Sequence, residues 1–326
     1  MNLNRIAIRS LCWIVALPAF IMMATAAAQQ PFPIKPIRFI VPFGPGGTGD
    51  FTARLVGQKL DDALGQRVYI DNRPGAEEII AAELLVRSVP DGYTLMLATA
   101  THVVNPSMRK KLPFDPISDF APVTVATQFP YLIVVHPSVQ ARSVRDLIAF
   151  ATAHPNKLTY GTSATLPRLA SAWLFKMSRI SVTHVPYAGG GPVLRDLAGG
   201  HLDAAFAAPA GPWSLIRSGR LKAVAVTSST RSEFFPDVPT VIEGGVPGYE
   251  ILGWHSVLAP AGTPREIIAR LNTGFVSVLR MADIKARFAE TAVQVVGNTP
   301  DEFARFMAAE RTKWSKAVAA SGITPE

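Results

Sequence analysis

The chain has 326 residues, 48% of them hydrophobic and 17% charged, which excludes a disordered chain, a peptide hormone and a fibrous protein and provides for one large or two ordinary domains. Lysine and arginine number 32 against 24 acids, a formal charge of +8. The basic residues are scattered, and the densest run, Arg109-Lys110-Lys111, is too short for a nucleic-acid track, so no nucleic-acid partner is expected.

Residues 1–28 have the layout of a secretory signal peptide. Arg5 and Arg9 precede an apolar run from Leu11 to about Met23, and Ala24-Thr25-Ala26-Ala27-Ala28 then supplies a cleavage site before Gln29. The apolar run is shorter than the ~20 residues of a membrane anchor, and Leu11 before Cys12 is not the small residue a lipoprotein signal carries. Cleavage after Ala28 removes Cys12, the only cysteine, so the mature protein is expected in the periplasm, soluble and without disulfides.

Along the mature chain, β-branched runs alternate with amphipathic patterns. Residues 37–42 read as a buried strand, 50–64 as a helix, 67–71 as a strand, 76–88 as a helix and 93–98 as a strand, a βαβαβ unit that implies a parallel sheet covered on both faces. After a loop at 113–122 the pattern restarts. Strands are expected at 131–135, 158–161, 182–185, 204–206 and 223–227, with helices at 143–153, 169–178, 191–198 and 213–218 between them. A strand near 253–258, a helix at 264–279 and a last pair of helices to about 321 are too little for a third domain and must dock on an existing one. Two α/β units joined by more than one crossing place a cleft between the carboxyl ends of their sheets.

The first strand is followed by Gly44-Pro45-Gly46-Gly47-Thr48-Gly49, formally a dinucleotide fingerprint, with Asp71 about 20 residues on. Pro45 removes a backbone donor and Asp50 puts a carboxylate where a pyrophosphate needs positive field, so the loop reads instead as a close backbone approach to a small ligand. Asp50 would cap the helix that begins near it. The histidines at 102, 136, 154, 184, 201 and 255 stand singly, without metal spacing, and read as structural. Glu77-Glu78 reads as the acidic first turn of a helix, two neighbours that do not share a face.

Several runs together resemble one family. Lys35-Pro36-Ile37-Arg38, Val41-Pro42-Phe43 with Pro45-Gly46-Gly47 and Asp50, Asn72-Arg73-Pro74-Gly75-Ala76, Pro90-Asp91-Gly92-Tyr93-Thr94, His184-Val185-Pro186-Tyr187, Phe235-Pro236-Asp237-Val238-Pro239-Thr240, Pro247-Gly248-Tyr249-Glu250 and Leu258-Ala259-Pro260-Ala261-Gly262-Thr263-Pro264 are similar to the Bug proteins. These are the TctC-like extracytoplasmic solute receptors of tripartite tricarboxylate transporters, and the resemblance spans essentially the whole mature chain.

The resemblance implies an α/β protein of the type II periplasmic-binding-protein fold, two α/β domains around a ligand cleft. Domain 1 would comprise 29–128 and 252–326, and domain 2 would comprise 129–251. It implies ligand contacts from Gly46, Gly47, Thr48 and Asp50 in one loop, Gly75 and Ala76 in the next, and Thr99 and Thr101 at a third strand end. Phe129, Thr162, Ser163 and Ala207 would contribute from the second domain, and Glu77 with Arg168 on the opposed loop are expected at the site from their charges and positions, not from the resemblance. The sequence departs from the family where Gly-Gly-Asn usually follows Pro-Gly-Ala and here Glu77-Glu78-Ile79 stands, in a loop carrying Leu166-Pro167-Arg168, and at Ala207 where an Asp is frequent. The function implied is capture of a small organic acid or its amide, without catalysis, cofactor or metal, by a monomer that delivers it to membrane transporter subunits. A receptor feeding a sensory partner and an exported hydrolase or dehydrogenase are the alternatives.

Overall fold

The computed structural model describes residues 32–45, 48–162, 164–187 and 190–321; the expected signal peptide, Gly46, Gly47 and Ser163 lie outside them. The first unit begins with β1 (Ile37–Val41), whose Ile37, Phe39, Ile40 and Val41 are buried, as a strand covered on both faces requires. Helix α1 (Thr48–Leu64) turns Ala53, Val56, Leu60 and Leu64 inward at helical spacing. Strand β2 (Val68–Asn72), a 3-10 turn (Ala76–Glu78), α2 (Ile79–Val86), β3 (Thr94–Thr99) and α3 (Ala100–Met108) follow, and then the long β4 (Phe120–Pro130).

The second unit contains β5 (Leu132–Val135), α4 (Val144–Ala153), β6 (Thr159–Thr162), α5 (Thr165–Met177), β7 (Thr183–Pro186), α6 (Gly190–Ala198), β8 (Ala204–Ala207), α7 (Trp213–Arg217) and β9 (Lys222–Val226). The chain then returns as β10 (Leu252–Pro260), α8 (Arg265–Leu279), α9 (Ala282–Ala289), β11 (Gln294–Val295) and α10 (Pro300–Ser321).

Among the described residues the strands form two sheets, in the orders β11-β4-β10-β3-β1-β2 and β7-β6-β8-β5-β9. The first three strands are parallel as expected, with β1 between β2 and β3. The sheet they belong to is nonetheless mixed, because β10 re-enters from the second unit and pairs antiparallel with both β3 and β4. The second sheet repeats this plan, with β5 antiparallel to β8 and β9. Both sheets therefore place an antiparallel strand between parallel ones, third of six in the first sheet and fourth of five in the second.

Two elements were not expected. The supposed loop at 113–122 gives way at Phe120 to β4, and α3 follows β3 without a break. In addition, the helix expected from residue 76 starts only at Ile79.

The crossings between lobes meet at Thr227. Its hydroxyl accepts from the Tyr131 N–H at 2.8 Å and donates to the Ile251 carbonyl at 2.7 Å, while the Thr227 N–H reaches the Tyr131 carbonyl at 3.0 Å and the Ile251 N–H reaches the Thr227 carbonyl at 2.8 Å. Helix α10 packs on β4 and α3 of the first lobe and on α5 of the second. It is fastened through Glu310, whose carboxylate accepts from the indole N–H groups of Trp254 and Trp314 at 3.3 and 3.0 Å and pairs with Lys313 at 2.8 Å. A buried carboxylate that meets a cation and two donors avoids most of the cost of desolvation.

Candidate functional site

The strand-to-helix loops of both lobes face each other, and two contacts show where. The Thr165 hydroxyl, at the start of α5, donates to the Glu77 carboxylate of the first lobe. Further along, Thr48, Phe51, Thr52 and His255 of the first lobe and Ala210 of the second line one cavity of about 200 Å³, together with Phe288, Thr291 and Val293.

Gly75 and the turn that follows it shape the first contact. Gly75 has φ 131°, and Ala76, Glu77 and Glu78 have φ of 44°, 53° and 75°, all in the left-handed region. Each non-glycine residue there costs about 1–2 kcal/mol, so the turn persists only because its surroundings hold it. Asn105 of α3 donates its amide to the Glu77 carbonyl at 2.8 Å, and the Glu77 carboxylate pairs with Arg109 at 3.2 Å. The two acids therefore do not form a helical first turn. The left-handed backbone sends Glu77 outward, across the cleft, and Glu78 inward.

Glu78 is 2% exposed. One of its oxygens accepts from the Thr99 hydroxyl and the other from the Thr99 N–H at 3.2 Å. Thr99 caps α3, its hydroxyl oxygen in turn accepting from the Thr101 N–H at 3.2 Å. Among the described residues no cation pairs with Glu78. Burial, with the Glu77 charge added, pushes its carboxyl up to about 7 against the pull of the Thr99 donors. The field of Glu78 also reaches Tyr131 at the crossing, whose hydroxyl is held above its usual range mainly by burial.

Thr99, His255 and Thr127 stand side by side across β3, β10 and β4. His255 Nδ1 lies 3.1 Å from Thr52 Oγ1 and 3.0 Å from Thr127 Oγ1. Burial lowers this imidazole to about 4, so at neutral pH it is an uncharged wall of the cavity. Among the described residues no group of acids, histidines or cysteines is arranged to hold a metal.

The remaining expected residues are distributed unevenly. Asp50 does not cap α1, which starts two residues earlier. Its buried carboxylate sits in the first turn, accepting from Arg54 at 2.9 Å and from the Asn72 amide at 2.8 Å, and so braces the loop below the site. Leu166, Pro167 and Arg168 belong to the first turn of α5 and not to a loop, with Leu166 and Pro167 buried. Arg168 is exposed and its charge acts on His184 and Tyr160, so the partner of Glu77 is Arg109 instead. Thr162 is buried, 2.7 Å from His184 Nε2, and Ala207 is half-buried at the end of β8. Phe129 lies against Gly253 and lines a separate cavity of about 380 Å³ beside the crossings, with Gln128, Leu252 and the 228–234 loop.

Thr52, Asn105, Tyr131, Thr165, Ala210 and His255 were not anticipated. Thr52 was accessible to sequence reasoning, since it lies one helical turn beyond Thr48 on the same face. The others are placed by tertiary contacts that leave no local motif.

Comparison with known proteins bears on the family and the fold. Residues 52–323 match the TctC family, described as "Tripartite tricarboxylate transporter family receptor". The chain is 34% identical to the protein BugT of Bordetella pertussis over 311 residues, 93% of this chain and 95% of BugT. An R. palustris structure with adipate is similar at a TM-score of 0.82 and 34% identity, covering 90% of this chain and all of that one. MatC from Rhodopseudomonas palustris with bound malate is similar at 0.78 and 29%, covering 88% of this chain and all of MatC.

Proposed function

This chain belongs to the TctC family, the receptors of tripartite tricarboxylate transporters, and from that premise we infer that it captures a small organic carboxylate, or its amide, in the periplasm and delivers it to a membrane transporter. The observation that carries the reading is the pair of interlobe contacts at the strand ends, Glu77 with Thr165 and the shared cavity of Thr48, His255 and Ala210. A solute between these loops touches both lobes at once and favours the closed form by the difference in its affinity for the two states. Adipate and malate in the two similar structures support an acid as the solute. The lobes divide as 29–128 with 252–326 and 129–251, near the change from one sheet to the other, which β4 overruns by two residues. Residues 1–28 direct export and are cleaved off, and the receptor works as a monomer that binds without reaction.

A thermal-shift screen of mono-, di- and tricarboxylates, aromatic acids and their amides tests this. A ligand of the native state raises the melting temperature by mass action. At least one member of the series should do so and be recovered unchanged. No shift across the series overturns the reading, and consumption of the ligand replaces it with an enzyme.

A further inference from the structure

His255 is 3% exposed, and its Nδ1 is flanked by the hydroxyls of Thr52 and Thr127 at 3.1 and 3.0 Å. Neither of these buried hydroxyls has another hydrogen-bond partner among the described residues, so Nδ1 is the acceptor they share and the neutral ring carries its proton on Nε2. The opposite tautomer would leave two buried hydroxyl protons without an acceptor. Nε2 itself has no partner among the described residues, yet it is not one of the sealed, unpaired atoms there, which are His102 Nδ1, Asn105 Oδ1 and Ser178 Oγ. His255 lines the cavity that the two lobes share, so the Nε2–H opens onto it.

The other walls set what this donor can meet. Phe51 and Phe288 line the cavity as an edge-to-face pair with ring centres 6.0 Å apart, and Val293 and Ala210 add apolar surface. Thr291, also lining it, directs its hydroxyl proton to the Phe288 carbonyl at 2.9 Å. None of the lining residues carries an ionised side chain, His255 being held neutral by burial. A carboxylate drawn in here would be desolvated with no cation to meet it. The volume of about 200 Å³ exceeds the ~150 Å³ of an apolar cavity that takes up a benzene ring.

We propose that this cavity receives the uncharged end of the solute and that the His255 Nε2–H recognises it, so that the ligand is an aromatic monocarboxylic acid bearing an uncharged oxygen acceptor opposite its carboxylate. This deepens the receptor reading and rests on it. The ring lies against Phe51 and Phe288, and the carboxylate stays outside the cavity, where its charge is not stripped of water. Thr52 and Thr127 act through the imidazole, fixing which nitrogen holds the proton.

Calorimetry on the full-length protein with benzoate, 4-hydroxybenzoate, 4-carbamoylbenzoate, terephthalate and adipate decides the point. The wild type should bind 4-hydroxybenzoate or 4-carbamoylbenzoate about tenfold more tightly than benzoate, which lacks the acceptor, and at least about tenfold more tightly than terephthalate, which brings a second charge. His255→Phe keeps a ring of similar size and removes both nitrogens, so the advantage over benzoate should fall toward one. Ala210→Leu, at a half-buried position, fills the cavity from the second lobe and should weaken the aromatic probes by more than about tenfold, with melting curves confirming that both variants fold. The imidazole nitrogen spectrum of the ligand-free wild type should show His255 protonated on Nε2 alone. Protonation on Nδ1, tighter binding of adipate or terephthalate than of either oxygen-bearing probe, an advantage over benzoate that survives His255→Phe, or aromatic binding undisturbed by Ala210→Leu overturns the proposal and leaves the receptor reading standing. Binding of no aromatic probe by folded wild type overturns it too, and the wider screen of acids and amides then decides the receptor reading.

Discussion

Glu78 carries a measurable signature apart from any ligand. Its carboxyl titrates at about 7 in the folded protein against an ordinary value of 4.5, so the native state holds this proton more tightly than the unfolded chain. Its contribution to stability is therefore complete below pH 4.5 and is lost as pH rises through 7, by on the order of 3 kcal/mol. Glu78→Gln keeps an acceptor for Thr99 and removes the titration. The stability of the variant relative to wild type, from urea unfolding, should increase between pH 4.5 and 8, and a constant difference would falsify the assignment. His102 and His255, both lowered to about 4 by burial, act oppositely: their contribution is present above 6.5 and lost as pH falls through 4. They are common to both proteins and cancel in the comparison. The sequence shows two acids where the resemblance leads one to expect glycines, but not that the backbone keeps a glycine-like conformation under them. The i,i+4 spacing of Asp50 and Arg54 was legible in the same way, whereas the Asn72 amide that completes their network comes from a different strand.

Among the elements, strands with uniform apolar runs and helices with a clear inward face were legible from pattern alone, as β1 and α1 show. Strand β4 was not, because Pro122 lies inside it, Pro130 ends it, and threonine and glutamine interrupt its apolar positions. In the sheet, a register shift between Val257 and Leu258 falls where Pro122 joins β10, so the missing N–H is accommodated at an irregularity. Helix α3 was hidden by β-branched residues and by Pro106 near its end, and it forms because Thr99 caps it and α10 packs on it. The pairing of β4 with β10 also depends on Gly253. A Cβ there would stand 2.2 Å from the Phe129 ring, which has the other strand and Tyr131 on its remaining sides. Gly253→Ala should destabilise the protein by about 1–3 kcal/mol, read as a lower midpoint in chemical denaturation. An unchanged midpoint would mean that Phe129 has another rotamer to occupy.

For the whole molecule, two lobes whose loops meet across a cleft should draw together on a solute. Small-angle scattering with a saturating ligand should give a smaller radius of gyration than without, and an identical profile on confirmed binding would mean a rigid receptor. Thr227→Val should lower stability by about 1–3 kcal/mol, since the Tyr131 N–H and the Ile251 carbonyl both lose a buried partner. A midpoint equal to wild type in urea would show that these groups re-pair. The two-lobed plan was legible because it repeats a local alternation; the point where the lobes are joined was not, because one threonine among many carries no pattern of its own. That joint has a geometric consequence. The residues at which the two crossings join the second half, Tyr131 and Ile251, are laced by four short bonds to one residue of that same half, so both crossings leave it from a single post. The bonds lie to one side of the crossings, so a swing of the halves about that post leaves them unbroken.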